Sequence, residues 1–393
     1  MDLRYTAPEQ AFRQELRDWL VATLEGVGEP PPHDDWPARR AYDLQWQQRL
    51  FEAGYAGVDW PAEGGGRGSS PVEQLIFKEE CERAGAPYVG VNFVGLLHAG
   101  PTIIAEGTAA QKERYLPAIL RGQEVWCQGF SEPDAGSDLA SLRTRAVRDG
   151  DDYVVTGSKI WTSHAEVADY CELLVRTGEE RNRGISWLIM PMDSPGIEIQ
   201  PLRTIEGTTE FAQLFLNDVR VPVANRVGEE NDGWCVTMVT LSFERGTAFV
   251  GELLECMRLL RELHDIGTRL GLLPNDVGLQ KRIGRLVAAF DALWALTKRN
   301  VSEAAQTGVP GIGGSVFKLS FSEHAQALGD LAMEMLDTAA LTADPLTGPD
   351  GPIGNAEQVH NWYKSINLTI AAGTSQVQRN IVAERILGLP RSR

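Results

Sequence analysis

The spacing of apolar residues changes twice along this chain, and that change restricts its fold more than any other feature. From residue 9 to about 125, apolar residues recur with the spacing of an amphipathic helix. From about 126 to 232 the sequence changes to short β-rich runs, such as DYVVTGSKIWTS and GISWLIMPM, that end at turn residues. After Gly233 the helical spacing returns. The sequence therefore predicts an α+β chain with an N-terminal α-helical domain (1–125), a middle, mostly antiparallel β-domain (126–232) and a C-terminal α-helical bundle (233–393).

Three groups of apolar residues and one polar segment make this prediction specific. Helical spacing predicts that the members of each group share one helix face. The segment TADPLTGPDGPIGN (342–355) is rich in turn formers and predicts a long loop. The groups are Phe12, Leu16, Trp19 and Leu20; Ile283, Leu286, Val287, Phe290, Leu293 and Trp294; and Val359, Trp362, Tyr363, Ile366 and Ile370.

Charge and composition exclude several functional classes. The 393-residue chain has a formal net charge of −17, which opposes binding to nucleic acid or anionic membranes because both attract clustered Lys and Arg. A polyanionic ligand would need a local basic pocket. No apolar stretch reaches the length of about 20 residues that spans a bilayer, so we expect a cytoplasmic protein without membrane insertion. The five cysteines show no C-x-x-C spacing, so we expect neither disulfides nor a metal site.

Familiar nucleotide-binding and hydrolase motifs are missing from the sequence. It contains no Walker A run, no H-E-x-x-H and no G-x-S-x-G, and no G-x-G-x-x-G follows a strand. We therefore interpret the glycine-rich run at residues 64–68 as a loop rather than a phosphate cradle.

Four longer stretches carry a family resemblance. They read WCQGFSEPDAGSDLASLRTRA (126–146), VVTGSKIWTSHAEVADY (154–170), LNDVRVPVANRVGEENDGW (216–234) and GTSQVQRNIVAERILG (373–388). Their sequences, their intervals and the order of the three regions resemble those of the acyl-CoA dehydrogenases, from about residue 50 to 390. The resemblance implies bound FAD, an acyl-CoA substrate and electron transfer to an electron-transfer flavoprotein.

The resemblance also implies a set of cofactor contacts. An isoalloxazine is planar and needs an aromatic wall with hydrogen-bonding groups at its edge. By resemblance, Trp161 flanks the flavin ring, Ser163 offers its hydroxyl near N5, and Ser137 faces the coenzyme A arm. Taken alone, such a tryptophan would more often be a core residue and such a serine a turn residue. The remaining implied cofactor contacts are Gln128, Phe130 and Ser131, and Thr374 and Gln376 of the GTSQ motif.

The catalytic base is the point at which the sequence departs from the common pattern. In this family a carboxylate removes the α-proton of the thioester while the β-hydrogen leaves as hydride to flavin N5. The usual glutamate before Gly-Thr-Ser is replaced here by Ala372. Some members instead carry the glutamate in an E-R pair on another helix, which corresponds to Glu244 and Arg245 in MVTLSFERGTAFVG. The resemblance implies Glu244 as base, Arg245 as a coenzyme A contact and Gly373 as a close approach to the thioester; otherwise Glu244 is an ordinary exposed helix carboxylate.

Two segments that many family members carry are missing as well. Neither R-x-x-F-G nor Q-x-x-G-G, which help to hold the flavin across a subunit interface, occurs in the regions that read RLGLLPNDVGLQKR and MLDTAALTADPLTG. We therefore expect an oligomer, most simply a tetramer of this chain alone or with a related one. Two interpretations remain open: a working dehydrogenase, or a non-catalytic subunit that completes the flavin site of a partner.

Overall fold

The computed structural model describes residues 4–32, 34–244, 249–307, 313–342, 344–349 and 351–390, with only the backbone for 242–244 and 307. The chain divides into two compact units. The sheet unit comprises Gln14–Ser70 and Arg83–Glu244, and the bundle unit comprises Met1–Arg13, Pro71–Glu82 and Arg245–Arg393. Two N-terminal segments therefore belong with the C-terminal bundle, although they are distant from it in sequence.

The N-terminal region is helical. Its helices are α1 (Ala7–Leu24), α2 (Trp36–Glu52), α3 (Pro71–Ala84), α4 (Gly100–Glu106) and α5 (Ala109–Leu120), with a π-helical turn at Gly95–Ala99 before α4. Local chemistry fixes the start of α5, where Thr108 Oγ1 accepts from the backbone N–H of Gln111 and Gln111 Oε1 accepts from that of Thr108. This reciprocal capping satisfies two N–H groups that the helix itself leaves without acceptors.

The described residues of the sheet unit form one sheet of eight strands. The order is β6-β7-β3-β2-β4-β5-β8, and β1 pairs in parallel with β4. Apolar side chains such as Val155, Leu173 and Leu214 are fully buried in its core. The strands are β1 (Trp126–Gly129), β2 (Arg145–Asp149), β3 (Asp152–Ser163), β4 (Tyr170–Arg176), β5 (Ile185–Pro191), β6 (Ile197–Leu202), β7 (Phe211–Pro222) and β8 (Arg226–Val227), and α6 (Gly233–Glu244) follows.

The bundle unit buries the apolar faces of long helices against each other. Its helices are α7 (Val250–Arg269), α8 (Val277–Thr307), α9 (Gly313–Leu336), α10 (Ala356–Leu368) and α11 (Ser375–Ile381). Leu263 on α7, Phe290 on α8 and Leu328 on α9 are almost fully buried in one cluster. Burying a side chain of this size stabilises a fold by about 1.5–3 kcal/mol.

The predicted α+β class and the order of helices, sheet and helices are confirmed, whereas the domain limits at residues 125 and 232 stay predictions. Two local predictions are wrong. Val287 is 44% exposed, because the buried face of α8 is narrower than expected, and Ile370 is 61% exposed, because α10 ends at Leu368. In the predicted loop 342–355, β9 (Leu346–Gly348) and β10 (Gly351–Ile353) form a hairpin that buries Ile353. No helix among the described residues is long and apolar enough to cross a membrane.

Candidate functional site

An exposed tryptophan lies where β3 departs from regular pairing. The pairing of β3 with β7 shifts between Lys159 and Thr162. Within that irregularity Trp161 adopts φ 61° and is 59% exposed. A bulky residue in the left-handed region is a rare and costly conformation. The indole and the ring of Phe211 are nearly perpendicular, with centroids 6.0 Å apart, and most of the indole surface is open to solvent.

The residues that follow Trp161 are fixed by aromatic packing. Ser163 ends β3 opposite Phe211. His164 also lies in the left-handed region, with φ 56°, and its backbone N–H donates to the Glu210 carbonyl at 2.8 Å. Its ring centroid lies 4.9 Å from that of Trp36 and 5.9 Å from that of Phe93. Burial lowers the pKa of His164 to about 4, so its imidazole is neutral at physiological pH.

The loop after β1 is attached to β3 through one face of its backbone. Phe130 is buried, and the Ser131 carbonyl accepts from the Ile160 N–H at 2.9 Å. Among the described residues, the Ser131 N–H donates to no acceptor. The loop then closes on itself through paired backbone bonds between Glu132 and Ala135 at 3.0 Å. Ser131 is therefore held by its carbonyl while its N–H and hydroxyl stay available to a ligand.

A buried ion pair anchors this loop. Lys159 is fully buried, and its Nζ donates to Glu132 Oε1 at 2.9 Å and to the Phe130 carbonyl at 3.1 Å. Glu132 also accepts from the backbone N–H groups of Arg143 and Thr144. Burial would raise the carboxyl pKa of Glu132, but the Lys159 ammonium and these donors outweigh it and hold the pKa below its usual value. Burial lowers the pKa of Lys159, with Glu132 opposing that shift.

Gln128 belongs to a buried polar cluster. Its Nε2 lies 2.6 Å from Glu172 Oε1 and 3.2 Å from His98 Nδ1. Parallel pairing of β1 with β4 puts Gln128 beside Glu172, whereas His98 comes from the π-helical turn. Glu172 is fully buried and His98 is 8% exposed.

Ser137 lies farther along the same loop and is exposed. The neighbouring Asp138 forms a solvent-exposed ion pair with Arg181. A pocket of about 160 Å³ adjoins the loop and is lined by Glu132–Ala135, by Ser141, Arg143 and Thr144, and by Gly157 and Ser158 of β3. Ser137 is not part of its lining.

In the bundle unit, the GTSQ motif begins α11. Thr374 caps the helix, because its Oγ1 accepts from the Val377 N–H at 3.2 Å. Gln376 is exposed. The two residues before Thr374 are both left-handed, with φ 51° at Ala372 and 83° at Gly373. A glycine tolerates this conformation, but an alanine is strained by it.

A second buried lysine donates a hydrogen bond to this turn. Lys318 on α9 is 4% exposed, and its Nζ donates to the Gly373 carbonyl at 2.7 Å. Gln378 Nε2 donates to the carbonyls of Ala372 and Gly373 at 3.1 and 3.3 Å. Burial lowers the pKa of Lys318 to about 8. Within the described residues, no carboxylate lies at ion-pair distance from its Nζ.

The predicted base lies at the C-terminal end of α6. Glu244 is the last residue of α6, and its side chain lies outside the described part, as does Arg245 altogether. Earlier in α6, Thr240 is fully buried, and its Oγ1 lies 2.9 Å from Thr102 Oγ1. The helix that carries Glu244 is thus tied to α4 within the sheet unit.

Each unit brings together one part of the predicted site. The sheet unit collects Gln128, Phe130, Ser131, Trp161 and Ser163 on β1, β3 and the loop between them, and the bundle unit holds Gly373, Thr374 and Gln376 in one turn. Sequence reasoning missed His98, Lys159, Glu172 and Lys318. Three of these could have been suspected, because each is a lone charge within an apolar run: GSKIW, YCELLV and VFKLSF.

Comparison with known proteins identifies the family. Residues 6–123, 127–219 and 231–387 match the family models for the acyl-CoA dehydrogenase N-terminal, middle and C-terminal domains. Acyl-CoA dehydrogenase IpdE1 of Mycobacterium tuberculosis is 39% identical over 394 residues, covering 97% of this chain and 98% of that protein. Acyl-CoA dehydrogenase FadE26 of the same organism is 37% identical over 412 residues, covering all of both chains.

Solved structures agree with these sequence matches. A structure described as the Tcur3481-Tcur3483 steroid ACAD superposes with a TM-score of 0.84 at 32% identity, covering 100% of both chains. The ChsE4-ChsE5 complex from Mycobacterium tuberculosis superposes with a TM-score of 0.82 at 36% identity, again covering 100% of both chains. Together with the helix, sheet and helix order, these matches show that the chain belongs to the acyl-CoA dehydrogenase family, whose members are flavoproteins.

Proposed function

We propose that this protein is an FAD-dependent acyl-CoA dehydrogenase that introduces an α,β double bond into an acyl-CoA thioester and passes the electrons to an electron-transfer flavoprotein. The observation that carries the proposal is Trp161, a large aromatic residue held in the left-handed region and left 59% exposed beside Ser163. Backbone strain of this kind clusters at active sites and ligand-binding sites, and the exposed indole is open to a planar ligand.

The residues of the sheet unit fit a flavin by their chemistry. Trp161 supplies a flat apolar wall for a planar ring. Ser131 offers an N–H and a hydroxyl, and Ser163 offers a hydroxyl, to the polar edge of the ring. Gln128 and Phe130 complete the set in this unit, and we propose Thr374 and Gln376 of the GTSQ motif as further cofactor contacts. When bound, FAD supplies a hydride acceptor, N5, for the β-hydrogen of the thioester.

The chain itself must supply the base that removes the α-proton. Ala372 has no titratable group, so we assign this role to Glu244 at the end of α6. A carboxylate acts as a base near neutral pH when an apolar, water-excluding site raises its pKa. Arg245 can meet carbonyl or phosphate oxygens of coenzyme A with a directed fork of donors. Ser137 and Gly373 are the further substrate contacts that we propose.

The support for a substrate class comes from the relatives of this chain. One structural relative at 32% identity is described as a steroid ACAD. We therefore propose a bulky acyl-CoA, with a steroid-derived side chain as the first to test and a straight-chain acyl-CoA as the comparison.

The visible absorption spectrum of the purified protein tests the flavin assignment. We expect a yellow protein with non-covalent FAD, and bleaching of the flavin absorbance when acyl-CoA is added under anaerobic conditions. Trp161→Ala should weaken FAD binding, whereas Trp19→Ala, which removes a tryptophan from the sheet unit outside the predicted site, should not. A protein that stays colourless with excess FAD, both alone and mixed with the products of its neighbouring genes, would refute the proposal.

A second candidate function is that of a subunit that completes the flavin site of a different chain. Its support is the missing R-x-x-F-G and Q-x-x-G-G segments, together with two relatives whose descriptions join two different chains. Light scattering with flavin quantification separates the candidates. A flavin-replete tetramer of this chain alone favours the first, flavin bound only after mixing with a related chain favours the second, and a flavin-replete monomer contradicts the oligomer that both require.

A further inference from the structure

The side chain of Gln128 lies between two other polar groups that the cofactor assignment does not use. Glu172 is fully buried on β4, and His98 is 8% exposed on the π-helical turn Gly95–Ala99. Buried polar groups of this kind are costly unless each donor meets an acceptor. The hydrogen bonds among the three residues therefore determine which atoms each of them can present.

Electrostatics fixes which end of the Gln128 amide faces Glu172. The amide atom nearest the carboxylate lies 2.6 Å from Glu172 Oε1. An amide oxygen at that distance would be repelled by the lone pairs of an accepting carboxyl oxygen, whereas an N–H group donates to it. The nitrogen of Gln128 therefore faces Glu172.

The same nitrogen also fixes the tautomer of His98. It lies 3.2 Å from His98 Nδ1, whereas Nδ1 and Glu172 Oε1 are 3.7 Å apart, which is too long for a direct hydrogen bond. An amide nitrogen has two hydrogens and no accepting lone pair. Its second hydrogen must therefore point to an unprotonated Nδ1, which leaves the imidazole neutral with its proton on Nε2.

We propose that Glu172 and His98 are positioning residues that use both N–H groups of Gln128 and so fix its carbonyl oxygen as the group offered to the ligand. This inference rests on the proposed function, since the ligand is the flavin, and it adds that Gln128 acts as an acceptor for an imide N–H or a ribityl hydroxyl. Among the described residues, Gln128 Oε1 accepts no hydrogen bond. Without Glu172 the amide could rotate and present a donor instead.

The surroundings of His98 keep its ring in place. Phe93 contacts it edge to face, with centroids 5.7 Å apart, and also contacts His164, with centroids 5.9 Å apart. His164 directly follows Ser163, the other predicted contact at the flavin edge. One aromatic side chain therefore supports both the Gln128 cluster and the end of β3.

Nitrogen NMR of the protein without added ligand tests the tautomer directly. The chain has six histidines, so selective ¹⁵N-histidine labelling resolves them, and the His98→Gln variant assigns the signal of interest. We expect His98 to show an unprotonated Nδ1 and a protonated Nε2 near neutral pH. A protonated Nδ1 would overturn the inference, because Gln128 would then have to turn its oxygen toward His98 and offer its N–H groups to the ligand.

A double-mutant cycle on FAD affinity tests the positioning role. Glu172→Gln should raise the Kd for FAD about tenfold, the equivalent of one lost hydrogen bond, and it should have no further effect in a Gln128→Ala background. Glu166→Gln, which changes an exposed carboxylate of the same unit, should leave the Kd unchanged. Equal effects of Glu172→Gln in both backgrounds would reduce Glu172 to a merely structural residue and overturn the proposal. If the parent protein binds no FAD, the proposed function fails, while the NMR measurement still decides the state of the cluster.

Discussion

The two predicted site loops are held in the same way but with different electrostatics. In the sheet unit, Lys159 donates to the Phe130 carbonyl, and in the bundle unit, Lys318 donates to the Gly373 carbonyl. Lys159 is paired with Glu132, whereas Lys318 has no carboxylate at ion-pair distance among the described residues. A buried lysine that is paired with a carboxylate stays charged over a wide pH range. A buried lysine without such a partner loses its proton more easily, because burial disfavours its charged form.

Breaking the ion pair between Lys159 and Glu132 should have the largest effect on stability. Lys159→Met leaves the buried Glu132 carboxylate without its cation, and losing one partner of a buried pair typically costs about 3–5 kcal/mol. We expect a loss of that size in the free energy of unfolding, measured by urea titration, with faster hydrogen exchange in residues 130–137. The double variant Lys159→Met/Glu132→Gln should recover part of the loss, because no charge is then left buried. A Lys159→Met protein as stable as the parent would contradict this view of the anchor.

The contribution of Glu132 to the stability of the folded protein should depend on pH. The pKa of Glu132 is lowered in the folded protein, so its stabilising contribution is fully present above the unfolded carboxyl pKa, which is about 4.3 for glutamate, and is lost as the pH falls through the lower folded value. The stability advantage of the parent over Glu132→Gln should therefore be constant near neutrality and shrink in acid. An advantage that grew in acid would contradict the sign of the shift.

Removing the Lys318 ammonium should cost less stability than breaking the ion pair of Lys159, and the stability difference should change with pH in the alkaline range. Lys318→Met removes a hydrogen bond from a charged donor, worth about 1.5–3 kcal/mol, but also removes the cost of burying the ammonium. Because the Lys318 pKa is lowered to about 8 from the ordinary 10.5, the folded state loses that proton first, and stability rises with pH across this interval. The advantage of the parent over Lys318→Met should grow from pH 8 to 10.5.

The exposed Lys281 on α8 provides the matched control for that experiment. Lys281→Met removes the same charge from the same unit without touching the turn, so its stability difference from the parent should show no such rise. If Lys318→Met also gave a flat difference, the unpaired character of Lys318 would be refuted.

The smallest effect should come from relieving backbone strain in the turn. Ala372 lies at φ 51°, where an L-residue pays about 1–2 kcal/mol relative to glycine, and glycine loses part of that gain through the greater freedom of the unfolded chain. We expect Ala372→Gly to stabilise the protein by less than about 1 kcal/mol, which a thermal melt would detect. A destabilised variant would indicate that the alanine methyl group has a packing role.

The sequence was sufficient for the fold but not for the supports of the site. The change of apolar period predicts the order of helices, sheet and helices, because burial of one face imposes that period on each element. The prediction that Ile370 shares the buried face of α10 is wrong because the helix ends at Leu368, before the turn that leads to Gly373. Turn formers dominate the segment 342–355 and therefore predict a loop. The structure differs because Ile353, near the end of the segment, is buried in an apolar cluster.

Motifs in the sequence predict which residues contact the ligand, but they do not indicate which residues hold those contacts in place. His98 and Glu172 meet Gln128 only because the π-helical turn and β4 come together in the fold, and no spacing in the sequence expresses that. Glu132 lies within the stretch WCQGFSEPDAGSDLASLRTRA, but its ion pair with Lys159 depends on a contact between β3 and a loop that is distant in sequence.

The rate of anaerobic flavin bleaching by an acyl-CoA in the Glu244→Gln variant tests most directly whether Glu244 is the catalytic base. Glutamine keeps the size of the side chain but is too weakly basic to remove an α-proton, so the rate should fall by at least about 10²–10⁴-fold while FAD and acyl-CoA still bind. Glu113→Gln, an exposed carboxylate on α5, serves as the control and should bleach at the rate of the parent. If Glu244→Gln also bleaches as fast as the parent with a substrate that the parent accepts, Glu244 is not the base that replaces a glutamate at position 372.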